Sequence, residues 1–334
     1  MKTPHPDPLP QGEREEDGFL PGALPYHAPM AERVRITDVS PRDGLQNEPL
    51  RADGSAIPTE DKARLVRALS VTGVDEIEVT SFVSPRWVPQ LGDAAELCKL
   101  VTRAKPIGLS MSALVPNEKG MRALLDANDS VGMKLIDKAS VFAAASETFS
   151  QKNTNATIAE TIERFRPIVP MARDHGLAMR GYVSCIIACP FEGAITPEAV
   201  LAVCKMLEEL GVDEIDLGDT IGAGCTETMA ALLACVTSEI DPSKLVLHLH
   251  DTFGRAAECV RVALQLGMRS FDGSAAGLGG CPYASTETSR APGNIATDLL
   301  VRTIKEAGYE TGVDLEKLAD ASRVAQEITA GAPA

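Results

Sequence analysis

One phrase occurs twice in this chain and sets the scale of its architecture. Ser70-Val71-Thr72-Gly73-Val74-Asp75-Glu76-Ile77 and Glu209-Leu210-Gly211-Val212-Asp213-Glu214-Ile215 each read as the end of a helix, a glycine, a short turn and the start of a strand. Glycine at that place lets a chain leave a helix through a left-handed conformation. Around these phrases, strand and helix patterns alternate at roughly 30-residue spacing, the length of one strand–helix unit. Strands are expected at 34–39, 76–82, 107–114, 130–136, 178–185, 214–217, 245–250 and 271–276. Helices are expected at 60–70, 93–102, 158–173, 197–210 and 256–266, and several end in glycine (Gly73, Gly176, Gly211, Gly267). Eight such units predict an α/β protein with a (β/α)8 TIM barrel, followed by a C-terminal helical appendix near 314–328. A doubly wound open sheet is the alternative. No GxGxxG follows the first strand, which speaks against a dinucleotide-binding domain.

The first 29 residues do not share this pattern. They carry seven prolines and the acidic group Glu13, Glu15, Glu16 and Asp17, without the basic and apolar regions of a signal peptide. Residues 1–29 are therefore expected to be a disordered leader, or an over-long start, and residues 30–334 a single barrel domain. The chain is 44% hydrophobic, yet no apolar run is long enough to span a bilayer. A net charge of −15 argues against nucleic acid and against an acidic membrane surface as partners. An anionic substrate would need a local basic group. Eight cysteines without CxxC spacing favour reduced thiols and a cytoplasmic location, although Cys185 and Cys189 are close enough in sequence to pair.

Two sequence features bring chemistry to one end of such a barrel. Arg42 and Asp43 fall just past the first strand, in Ser40-Pro41-Arg42-Asp43-Gly44-Leu45-Gln46-Asn47-Glu48-Pro49. His248 and His250 close the seventh strand and, two residues apart, point to the same face. A carboxylate and two imidazoles converging on one point make a ligand set for a divalent metal. Arginine beside them offers a fixed cation for a carbonyl or carboxylate oxygen. Glu78 and Thr80 in strand two, Asp219 and Thr220 after strand six, and Gly277-Leu278-Gly279-Gly280-Cys281-Pro282 after strand eight fall at the same end. Active sites of TIM barrels lie there. Taken singly, each feature has a plainer reading. An HxH on a strand is often structural, Arg42–Asp43 would serve as an ion pair at a strand end, and Cys281 as an inert thiol.

The phrases Arg-Asp-Gly-Leu-Gln-Asn-Glu at 42–48 and Gly-Leu-Gly-Gly-Cys-Pro-Tyr-Ala at 277–284 resemble the 3-hydroxy-3-methylglutaryl-CoA lyase family. That family sits within the wider group of TIM-barrel metal-dependent lyases and acyltransferases. The stretches 80–90, 142–147, 180–185, 217–222 and 248–254 extend the resemblance over most of residues 33–320. It implies a lyase that cleaves the acyl-CoA thioester 3-hydroxy-3-methylglutaryl-CoA to acetyl-CoA and acetoacetate, as in leucine degradation and ketone-body metabolism. It further implies Mg²⁺ or Mn²⁺ held by Asp43, His248, His250 and Asn294, Arg42 on the developing oxyanion, Cys281 as the thiol acid/base, and Glu78 orienting Arg42. Asp219 and Thr220 join Arg42 as substrate-binding residues, and a homodimer is expected. Lys138 and, in the loop after strand four, Lys152 and Asn153 are candidates for CoA, though surface solvation explains them equally. The twelve residues 282–293 between Cys281 and Asn294 exceed the loop this resemblance leads one to expect. A longer 3-hydroxy-3-alkylglutaryl-CoA is thus an alternative substrate, and a Claisen-type acyltransferase an alternative activity.

Overall fold

The computed structural model describes residues 32–280 and 293–330. The expected leader and Cys281 with its loop lie outside the described residues. In chain order the elements are β1 (Arg35–Asp38), α1 (Thr59–Ser70), β2 (Glu76–Ser81), α2 (Ala94–Val101), β3 (Ser110–Leu114), α3 (Glu118–Ser130), β4 (Lys138–Ala144), α4 (Glu147–Thr154), α5 (Ile158–Phe165) and α6 (Ile168–Asp174). Then follow β5 (Ala178–Ser184), the short hairpin β6 (Ala188–Cys189) and β7 (Gly193–Ala194), α7 (Pro197–Leu210), β8 (Glu214–Asp219), α8 (Thr226–Val236), β9 (Leu245–Leu249), α9 (Ala256–Gln265), β10 (Ser270–Gly273), α10 (Thr297–Glu306) and α11 (Leu315–Thr329). The eight longer strands close a barrel in the order β1-β10-β9-β8-β5-β4-β3-β2. All of their pairings are parallel. The TIM barrel expected from the sequence is the fold of the protein, and α11 is its C-terminal appendix.

Three local expectations need correction. Residues 130–136 are not the fourth strand: they finish α3 and fold back on it. Gly132 takes φ +67° there, and Asn128 bonds both the N–H (2.9 Å) and the C=O (3.0 Å) of Ile136. The strand is β4, whose Lys-Ala-Ser-Val-Phe-Ala-Ala run has a weak strand signal. Pairing with β3 and β5 on both sides sets its state. The helix expected at 158–173 is two helices, because Pro167 lacks the N–H that would continue α5. Lys152 and Asn153 lie in α4 rather than in a loop, and Ser146 caps that helix by accepting from the N–H of Phe149.

Alternation along the strands divides the barrel into two environments. Ile36, Ile77, Val79, Met111, Ala113, Val141, Val183, Ile215, Leu217, Leu247, Leu249 and Phe271 join the apolar core beneath the helices. The opposite face carries Glu76, Glu78, Ser112, Lys138, Ser140, Arg180, Tyr182, Asp216, His248 and Asp272, all buried. Bulky aliphatic side chains usually fill such an interior; here charges and hydroxyls do. At the floor Lys138 bonds Glu76 and Glu214 together. That position removes Lys138 from the candidates for CoA. Arg180 runs up from the same pair, with Nε 2.6 Å from Glu214 and Nη1 3.4–3.5 Å from Asp216 and Asp272. Burial and the neighbouring Asp272 push the Asp216 carboxyl above its ordinary range.

Candidate active site

The chain leaves β1 through one π-helical turn, Ser40–Gly44, with Pro41 at its start. Asp38 braces this turn. It accepts from the N–H of Ser40 (3.0 Å) and from Thr297 Oγ1 (2.7 Å), while Ser40 Oγ accepts from the N–H of Ala275 (2.6 Å). Burial pushes the Asp38 carboxyl up to about 6 against the pull of the Ser40 and Thr297 bonds. The brace ties the end of β1 to the segment after β10, so two loops of the site are held together.

The turn delivers Arg42 and Asp43 into the barrel mouth, 5% and 8% exposed. Arg42 Nη1 donates to Asp43 Oδ1 at 2.7 Å and Nε to Glu78 Oε2 at 2.5 Å. Tyr182 Oη donates to the same Glu78 oxygen at 3.0 Å, and the guanidinium lies 5.2 Å from the Tyr182 ring centre. Asp43 accepts from Gln46 Nε2 at 2.6 Å and from Asn294 Nδ2 at 2.8 Å. Burial would raise its carboxyl, but Arg42, His248 and His250 outweigh that and hold it down at about 2. Glu78 behaves oppositely: full burial lifts its carboxyl above the ordinary range in spite of Arg42 and Arg180.

His248 and His250 project from the end of β9 with ring centres 5.5 Å apart. His248 Nε2 lies 3.9 Å from Asp43 Oδ2, and Nδ1 lies 3.2 Å from Asp272 Oδ2. Burial lowers the His248 pKa, yet the Asp272 bond and the Asp43 charge prevail and leave it above its usual value. His250 is brought down to about 4 by burial and by the neighbouring His248. One donor atom each from Asp43, His248 and His250 lie within 4.8 Å of one another. His250 Nδ1 is buried without a hydrogen-bond partner among the described residues. A buried nitrogen left unpaired is costly unless something binds it. Two imidazoles, an ionised carboxylate and an adjacent amide therefore suit a divalent cation.

The remaining expected residues take distinct places. Asp219 has the strand parity of Ile215 and Leu217, and its oxygens accept from the N–H groups of Ala223 (3.1 Å) and Gly224 (2.7 Å) in its own loop. Burial raises its carboxyl to about 6 against those two bonds. Thr220 Oγ1 accepts from the N–H of Cys185 at 2.8 Å, joining the loops after β5 and β8. Cys185 and Cys189 are both free and buried. Tyr182, Gln46 and Asp272 belong to the site without having been singled out. Their legible signal was position: Tyr182 and Asp272 share strand faces with Arg180 and Ser274, and Gln46 follows Asp43 by three residues.

A parallel barrel with a nitrogen–oxygen donor cluster and a fixed arginine at its C-terminal mouth defines a class: barrel enzymes that work on carbon skeletons with a divalent metal. The chain belongs to the HMGL-like family, whose model matches residues 33–325. It is 46% identical to the mitochondrial hydroxymethylglutaryl-CoA lyase of Gallus gallus, over 86% of this chain and 91% of that one. It is 42% identical to a 3-hydroxy-3-isohexenylglutaryl-CoA/hydroxy-methylglutaryl-CoA lyase of Pseudomonas aeruginosa, over 88% and 92%. The crystal structure of the HMG-CoA lyase from Brucella melitensis superposes with a TM-score of 0.81 at 44% identity, covering 90% of this chain and all of that one. The protein is an enzyme of the lyase class, in a family that depends on a divalent metal. No helix among the described residues is long and apolar enough to cross a membrane.

Proposed function

We propose that this enzyme cleaves 3-hydroxy-3-methylglutaryl-CoA to acetyl-CoA and acetoacetate. The observation that carries the reading is the convergence of Asp43, His248 and His250 within 4.8 Å beside the buried Arg42. Asn294 is the fourth ligand; its amide lies on Asp43, and a half-turn exchanges its nitrogen for its oxygen. A divalent ion held by these four would supply Lewis acidity to the substrate's oxygens. The donor set suits Mn²⁺ and admits Mg²⁺.

The chain's own groups account for the remaining steps. Loss of the hydroxyl proton frees an electron pair on oxygen, which forms the ketone of acetoacetate as the C2–C3 bond breaks. The pair from the broken C2–C3 bond passes to the enolate of acetyl-CoA. Arg42, clamped between Asp43 and Glu78, faces the oxyanion that grows on the thioester, and a cation fixed in advance acts there without reorganising. Glu78 with Tyr182 holds Arg42 at a set angle. Cys281, as the thiol acid/base, is assigned the transfer of the proton from the hydroxyl to the enolate carbon. Asp219 holds the loop after β8, Thr220 joins it to the loop after β5, and together they shape the substrate's wall. The free state of the seven described cysteines supports a reducing, cytoplasmic setting. The homodimer belongs to the same reading through the family resemblance.

A coupled assay for acetoacetate tests it. Activity should vanish in EDTA, return with Mn²⁺ or Mg²⁺, and be lost in Cys281→Ala with metal binding intact. A folded, metal-loaded protein that yields no acetoacetate would sink this substrate and turn attention to longer 3-hydroxy-3-alkylglutaryl thioesters.

A further inference from the structure

The two histidines of the site are held very differently. His250 Nδ1 has no partner among the described residues, whereas His248 Nδ1 faces Asp272 Oδ2 at 3.2 Å, with neither Nδ1 nor carboxylate open to water. Asp272 is the last residue but one of β10, level with His248 in the β9–β10 register, so the strands themselves set that approach. Behind it, Arg180 Nη1 lies 3.5 Å from both Asp272 oxygens. Arg180 is fully buried and anchored at its other end on Glu214, 2.6 Å from Nε. A carboxylate that accepts from one ring nitrogen fixes the proton there and leaves the other nitrogen's lone pair free. For His248 the free nitrogen is Nε2, the one 3.9 Å from Asp43.

We propose that Asp272 is a positioning residue for the metal centre: it holds His248 in the Nδ1–H tautomer with Nε2 aimed at Asp43, and Arg180 keeps Asp272 from turning away. His248 is thus the ligand set before any ion arrives. His250, whose ring nothing among the described residues fixes at Nδ1, adjusts to the ion. The inference rests on the metal reading of Asp43, His248 and His250, and it adds a second tier of residues that never touch the ion. Such partners ordinarily change metal affinity by about 10- to 100-fold.

Two measurements test it. In metal-free wild-type protein labelled with ¹⁵N at histidine, at alkaline pH where the ring is neutral, the His248 nitrogen shifts should report a proton on Nδ1. A proton on Nε2 overturns the proposal, and this readout needs neither a variant nor a metal. In the second, free Mn²⁺ is followed by EPR during titration of wild type, Asp272→Asn and Asp43→Ala. Asp272→Asn should raise the Kd by about 10- to 100-fold. An unchanged Kd in Asp272→Asn, beside a lost site in Asp43→Ala, overturns the role of Asp272 alone. Absence of Mn²⁺ binding by wild type would instead remove the metal reading, and the tautomer would still decide whether Asp272 sets the ring.

Discussion

At the scale of single residues, the site separates its protons by environment. Asp43 is held at about 2 and His250 at about 4, while His248 stands above its ordinary value. Cation binding needs Asp43 ionised and both imidazoles free at the ligating nitrogen. As pH falls, the group with the higher pKa protonates first, so His248 is the first to compete with the ion. Once charged, it opposes a second charge on His250, which is one cause of the low His250 value. Mn²⁺ affinity should therefore fall by about tenfold per pH unit below the His248 pKa, a one-proton slope. That slope should persist to about pH 4 and steepen only there. EPR titrations across this range check it: a two-proton slope near pH 6 would mean that the histidines titrate together, and no slope would take His248 out of the ligand set.

At the scale of elements, the site depends on how loops meet, and this is where sequence reading succeeds and fails. The strand ends carrying Arg42, Asp43, His248 and His250 were legible because polar residues interrupt apolar alternation at one end of each strand. The fourth strand was not, since its alanines and serine lack a strand signal and its neighbours impose the geometry. The bond between Asn294 and Asp43 was legible only through family resemblance, for the two are far apart in sequence and meet through the fold. Gly279 shows what that meeting requires. It takes φ +99°, and a Cβ there would come within 2.5 Å of Asn294 Nδ2 and 3.3 Å of Asp43 Oδ2. Gly279→Ala should displace Asn294 from Asp43 and lower kcat/KM on the order of 100-fold, as misplacement near reacting groups does. Its thermal midpoint should shift by only a few degrees, because the change meets a loop and not the apolar core. Wild-type kcat/KM in that variant would show that Asn294 can leave Asp43 without consequence.

At the scale of the whole molecule, the barrel interior divides stability from chemistry along its axis. The floor holds Glu76, Lys138, Arg180 and Glu214, and the mouth holds Arg42, Asp43 and the histidines. With a net charge of −15, an anionic substrate needs a local cation, and the structure places Arg42, Lys138 and Arg180 inside the barrel, each against carboxylates. None of that ionic packing was visible in the sequence, where Lys138 read as a CoA candidate or a solvated charge and nothing paired it with Glu76 or Glu214. A buried ion pair gains little over an apolar substitute, yet removing one partner alone leaves the other uncompensated. Lys138→Met should cost about 1–3 kcal/mol in urea unfolding, since Glu76 and Glu214 lose the ammonium between them while Arg180 still pairs both. The folded fraction should still bind Mn²⁺ within about threefold of wild type, because floor residues in such barrels serve stability and mouth residues serve chemistry. Arg180 links the two levels, touching both Glu214 and Asp272. Should Lys138→Met weaken Mn²⁺ tenfold while the protein stays folded, the floor acts on His248 through that arginine, and the two levels are one network.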